Sequence, residues 1–209
     1  MGKIVTNEGL DLCLAIQYYS RMRLTTNLSP LLRGSSHPRI LSVQNGGSEQ
    51  AINELDIGLQ DPKNYSWSSA VSHISTMTSL SFSHLSELPE NKNITFIHSA
   101  PGLVRTEIFS RLKPSPESGF LARLWTVFFR KLMFNVQWYM GVSIADCGAR
   151  QAYLLTSEAF GPGKLWRIDQ ESEPVTMAGV LEGYEKNGWG VKVWEFTTGV
   201  VEKALRMGE

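Results

Sequence analysis

Gln44 and Asn45 follow the apolar run Arg39-Ile-Leu-Ser-Val43. Carboxamides at such a corner can donate hydrogen bonds to a substrate carbonyl or a developing oxyanion; they can equally well satisfy a turn. Tyr65 stands just before a long apolar-periodic stretch and offers a phenol as an acid or as a binding hydroxyl. An ordinary surface tyrosine is the plain alternative. His73, inside that stretch, can act as acid or base near neutral pH, or can simply sit on a polar or interface surface. Asn45, Tyr65 and His73 are therefore the candidate catalytic residues. Pro101, Gly102 and Thr106 come after the β-rich run Ile94-Thr-Phe-Ile97. Ligands of open α/β sheets sit outside the carboxyl ends of strands, so these residues, with Gln44, are expected to face a substrate. Tyr18, Trp138 and Tyr139 can wall an apolar cavity, with core packing as the default. His98 reads as a packed core histidine. No histidines and carboxylates have ligand spacing, so no metal is expected. Neither a Gly-x-Ser-x-Gly turn nor a Cys–His arrangement supplies a nucleophile.

These residues need a scaffold, and the periodicity predicts one. Residues 8–33 read as a helix with Leu10, Leu14 and Ile16 to Tyr19 inward. A strand over Arg39–Val43 ends in the turn Gln44-Asn-Gly-Gly47. A loop over 48–65 follows, its Leu55–Leu59 segment expected along the surface. A helix over 66–88 carries Trp67, Ala70, Ile74, Met77 and Leu85 close to one stripe. The turn Leu88–Asn93 feeds the strand ending at Ser99. Strand, helix and strand in this order make a parallel crossover. Pro114 and Pro116 then interrupt the chain. Residues 120–140 are rich in Phe, Leu and Trp, with Arg123, Arg130 and Lys131 between them. Such a helix can lie on a membrane; the preferred expectation is a lid over an apolar pocket, or a face buried by a second subunit. A helix over 143–157, a strand over Lys164–Ile168, loops and a short helix around Val200–Met207 complete the chain.

Composition sets the bounds. The chain has 209 residues, 42% hydrophobic, with formal net charge zero. That fits one domain with a real core and gives no electrostatic case for nucleic acid or an anionic membrane. Two cysteines, Cys13 and Cys147, argue against a disulfide scaffold and fit a reducing compartment. The opening Met-Gly-Lys-Ile-Val is no signal peptide, so a cytoplasmic location is expected. Within one domain, 1–113 is expected as core, 114–141 as lid or interface, and 142–209 as helix, strand and tail.

Pro101-Gly102 with Thr106, placed after a strand, resembles the short-chain dehydrogenase/reductase family. Glu8-Gly-Leu-Asp11, Leu31-Leu32, Arg39–Val43 and Gly148-Ala149 with Tyr153-Leu154 fall in the same family order. The details most resemble oxidoreductase-like proteins of fungal natural-product pathways. The resemblance implies a Rossmann-like α/β fold, with Thr106 at the nicotinamide end of a cofactor. It also implies a Tyr-x-x-x-Lys pair, whose positions here hold Val71 and Ser75, and an asparagine where Gln17 stands. It begins where the family's fourth strand has ended, and no Gly-rich phosphate turn follows any strand. The expectation is therefore a truncated Rossmann-like three-layer fold: a short parallel sheet of about three strands, flanking helices and a helical lid. No cofactor is expected. The expected activity is isomerisation or cyclisation, possibly pericyclic, of a small apolar secondary metabolite. An NADPH-dependent oxidoreductase completed by a partner chain and a non-catalytic binding protein are the alternatives. The bare apolar edge left at Arg39–Val43 predicts a tight homodimer.

Overall fold

A computed structural model describes residues 3–111, 113–114, 119–177 and 179–207; Pro116 lies outside the described residues. The elements run α1 (Leu12–Leu14), a π-helical turn (Ala15–Tyr19), α2 (Ser20–Leu32), β1 (Arg39–Val43), α3 (Trp67–Glu87), β2 (Thr95–Ser99), α4 (Phe120–Met140), α5 (Ile144–Thr156), β3 (Leu165–Ile168), α6 (Val180–Lys186) and α7 (Trp189–Met207). The strands form one open parallel sheet in the order β1-β2-β3. This is the α/β, Rossmann-like arrangement expected from the sequence. The chain divides into two compact units, Met1–Ala100 with Ser157–Glu209, and Pro101–Thr156.

In the first unit β2 is buried along its whole length, the mark of a strand paired on both sides. Its register aligns Ser42, His98 and Arg167 in one row across the sheet. Phe96, on the same face, meets Phe82 of α3 edge-on, ring centroids 5.4 Å apart. α3 is buried on nearly all sides, although much of it is serine and threonine. Its hydroxyls are tolerated because they find partners, such as Thr78 Oγ1 on Ile74 O at 2.7 Å. Ser66 and Ser69 form a reciprocal capping box that starts this helix. Among the described residues β1 pairs with β2 alone, and its other side borders a groove lined by Leu24, Leu28, Ile40 and Leu41.

Three local expectations are corrected. The first helix starts at Leu12, because Asp11 caps it by accepting from Leu14 N at 3.0 Å, and Gly9 at φ +76° turns the chain before it. The Leu55–Leu59 segment is only partly superficial: Leu55 is fully exposed, whereas Leu59 is fully buried. The final helix spans 19 residues and packs on α3 through Trp189, Val193 and Thr197. Its glycines and β-branched residues, poor helix formers by propensity, hide that i, i+4, i+8 stripe.

In the second unit, strand-like pairing joins Val104 to Val142. Gln137 Nε2 donates to Val104 O, and Arg105 stacks over the Trp138 ring, 5.6 Å from its centroid. Gly141 must lack a side chain, since a Cβ there would meet Gln137 O and Leu103 O.

Candidate active site

The described part of the first unit contains a pocket of about 260 Å³, lined by residues that include Asp11, Cys13, Ile16, Gln17, Tyr65 and Trp67. α1 and the π-helical turn supply one wall; the residues entering α3 supply the other. Asp11 is held by its capping bond through Oδ1. Its Oδ2 is buried and, among the described residues, has no partner at full hydrogen-bond geometry. A buried carboxylate oxygen without a partner is costly, and such groups concentrate at functional sites. Burial raises the Tyr65 phenol above its ordinary range, and the negative charge of Asp11 adds to that. A hydrogen-bonding interaction between the phenol and the Asp11 carboxylate adds further to the shift. Cys13 is raised by burial and then by Asp11, which keeps it a thiol rather than a thiolate nucleophile.

Gln44 belongs to the support of this pocket. Its Nε2 donates to Gln17 O at 2.7 Å, while its Oε1 lies 3.2 Å from Thr78 Oγ1. The side chain thus ties the π-helical turn to α3. Asn45 is exposed, and its carbonyl accepts from Ser75 Oγ at 2.9 Å. His73 is buried with both ring nitrogens engaged: Asn53 N–H donates to Nε2 at 2.9 Å, so Nδ1 carries the proton and donates to Ile57 O at 3.0 Å. Burial lowers its pKa, and protonating Nε2 would break the Asn53 bond. In this geometry His73 fastens the 53–57 loop and has no nitrogen left for a ligand. Tyr18 is fully buried, its hydroxyl 2.6 Å from Ser81 Oγ and 2.7 Å from Thr197 Oγ1, and burial pushes its pKa up to about 12. It joins the first helix, α3 and α7.

Pro101, Gly102, Thr106, Trp138 and Tyr139 all belong to the second unit. Gly102 takes φ +69° in the turn after β2. Thr106 is exposed, with Gln137 Nε2 at 3.4 Å from its hydroxyl. Trp138 and Tyr139 lie exposed on α4.

Sequence reasoning missed a buried polar chain at the carboxyl end of the sheet. Glu49 Oε1 accepts from Ser79 Oγ at 2.6 Å and from Gly47 N at 3.0 Å; its Oε2 pairs with Arg167 at 3.1 Å. Since Ser79 spends its proton on Glu49, its oxygen accepts from His98 Nδ1 at 2.7 Å. His98 is therefore neutral with the proton on Nδ1, and among the described residues its buried Nε2 has no hydrogen-bond partner. Burial drives the His98 pKa down to about 4; Arg21 and Arg167 add to this, and Glu49 opposes it. For Glu49, burial pushes upward, but the hydrogen bonds from Ser79 and Gly47 outweigh it and hold the carboxyl below its ordinary range. The signal that could have found this chain is the strand register, which aligns Ser42, His98 and Arg167.

No protein-family model matches the sequence. The chain is 32% identical over 214 residues to the NmrA-like family domain-containing oxidoreductase notO of an Aspergillus species, covering 99% of this chain and 62% of that protein. It is 27% identical to oxidoreductase lepF of Aspergillus flavus, covering 97% of this chain and 65% of the relative. It is also 31% identical to the short-chain dehydrogenase/reductase SAT2 of Stachybotrys chartarum, covering 77% and 43%. The chain is homologous to fungal oxidoreductases of the short-chain dehydrogenase/reductase type. It spans less than two thirds of the length of each of these relatives.

A nicotinamide cofactor of that family does not fit the residues present. The helix that should offer a tyrosine and a lysine has no lysine. At the lysine position Ser75 spends its hydroxyl on Asn45 O, and Val71 at the tyrosine position has no proton to give.

Proposed function

We propose that the chain binds a small, largely apolar carbonyl metabolite in the pocket beside α1 and catalyses a non-redox isomerisation. The observation that carries this reading is the buried Asp11 carboxylate beside the Tyr65 phenol at one apolar pocket. Tyr65, held protonated by burial and by Asp11, donates a hydrogen bond to the substrate oxygen. Asp11 Oδ2 takes a proton from the carbon next to the carbonyl, and the charge that develops on oxygen is stabilised by Tyr65. Returning that proton at a second carbon completes the isomerisation with no change in oxidation state. Gln44 keeps the π-helical wall in place. The kinship with fungal oxidoreductases supports a metabolic role on this scaffold, and the edge of β1 that no described strand covers, with its apolar groove, supports pairing with a second copy.

The test uses cyclohex-3-enone as probe and follows the absorbance of the conjugated enone. Conversion above buffer, reduced about 100-fold by Tyr65→Phe and by Asp11→Asn, is expected; Asp11→Asn retains a side-chain oxygen for the helix cap. If the probe is neither converted nor bound, as judged by ligand-observed NMR, the reading is wrong. The relatives' names favour oxidoreduction as a second reading. Saturable quenching of NADPH fluorescence by the chain would select it.

A further inference from the structure

We infer, given the reading of the pocket beside α1 as a ligand site, that residues 3–6 are a strap at its rim, latched by Lys3, which governs access to Asp11 and Tyr65. The strap is one arm of a hairpin. Gly9 turns the chain, Thr6 N donates to Leu10 O and Leu12 N to Ile4 O, each at 2.8 Å, and Val5 pairs antiparallel with Asp11. This pairing sets Ile4 in the wall of the pocket, next to the helix start that carries Asp11 and Cys13. Ile4 is 54% exposed, so it stands where the pocket meets solvent.

Little apolar burial holds the arm down. Val5 is as exposed as Ile4, and the area the two remove from water is small. Lys3 supplies the further tie. Its ammonium donates to Leu59 O at 2.7 Å and to Gln60 O at 3.0 Å, and it lies over the Tyr65 ring, 5.9 Å from the centroid. These acceptors are fixed in advance. Leu59 is fully buried and held at φ +49°, a region uncommon for leucine. The Asp56 carboxylate accepts from Gln60 N at 2.7 Å, Asp61 N at 3.0 Å and Asn64 Nδ2 at 2.8 Å, which locks the turn. A lightly packed arm thus closes onto a rigid turn through one cation. Segments with few buried apolar contacts open before the rest of a fold, and charge-assisted bonds of this kind are the strong ones. Opening the strap uncovers Cys13 together with Asp11 and Tyr65, since all three line the same pocket.

The test alkylates the intact chain with iodoacetamide, without ligand, and follows Cys13 and Cys147 separately by peptide mass spectrometry. Lys3→Met is expected to speed the reaction of Cys13 about tenfold and to leave Cys147, in the other unit, unchanged. Lys3→Arg keeps donors for the same two carbonyls and should stay near the wild-type rate. Equal Cys13 rates in the wild type and Lys3→Met would overturn the strap. So would a parallel rise at Cys147, because the whole fold would then have loosened. If Cys13 responds to Lys3 while the enone probe is neither bound nor converted, the strap stands and the isomerase reading alone fails. A converted probe with a Cys13 indifferent to Lys3 removes the strap and leaves that reading in place.

Discussion

His98→Gln should flatten the acid side of the stability profile. The native imidazole is fully buried and neutral, its pKa lowered from 6.5 to about 4 by burial first and by Arg21 and Arg167 next. Above the unfolded value both states are neutral, so the residue adds no pH dependence. Between the two values the unfolded chain takes up a proton that the fold refuses. Stability therefore falls as pH falls, by about 1.4 kcal/mol per unit. From neutrality to about pH 5 the loss assigned to His98 is about 2 kcal/mol. Urea denaturation at a series of pH values measures it, and the difference between wild type and His98→Gln isolates it from His73, whose lowered pKa acts in the same direction. Glu49 contributes only at lower pH: its depressed folded pKa gives stability that is lost as pH falls through that value. Parallel profiles for the two proteins would refute both the neutral tautomer and the chain through Ser79 to Glu49.

Gly46→Ala should cost at least about 3 kcal/mol, because a Cβ there would lie 1.9 Å from His98 O at the end of β2; an unchanged thermal melt would contradict the close approach. Tyr18→Phe should cost about 1–2 kcal/mol in urea by removing a hydroxyl shared with Ser81 and Thr197, with probe binding unchanged. A loss of binding at unchanged stability would return Tyr18 to the ligand-contacting set.

By itself the sequence determined the strands, the parallel order and the long helices. Apolar runs such as Ile94–Ile97 and the stripe through Ala70, Ile74 and Met77 are local patterns, and hydrophobic burial acts on them directly. The π-helical turn at Ala15–Tyr19 and the length of α7 were illegible, because packing on α3 overrides weak local propensity. The roles of polar residues were decided only by tertiary structure. A histidine has the same type and spacing whether its nitrogens face a ligand or a loop, and the partners that settle it for His73, Asn53 and Ile57, come from a segment with no periodicity. Glu49, Ser79 and His98 are distant in sequence and meet only through the sheet register. Asp11 shows the same dependence: inside the expected first helix in the sequence, it becomes that helix's cap and a candidate base once folding buries its carboxylate beside Tyr65.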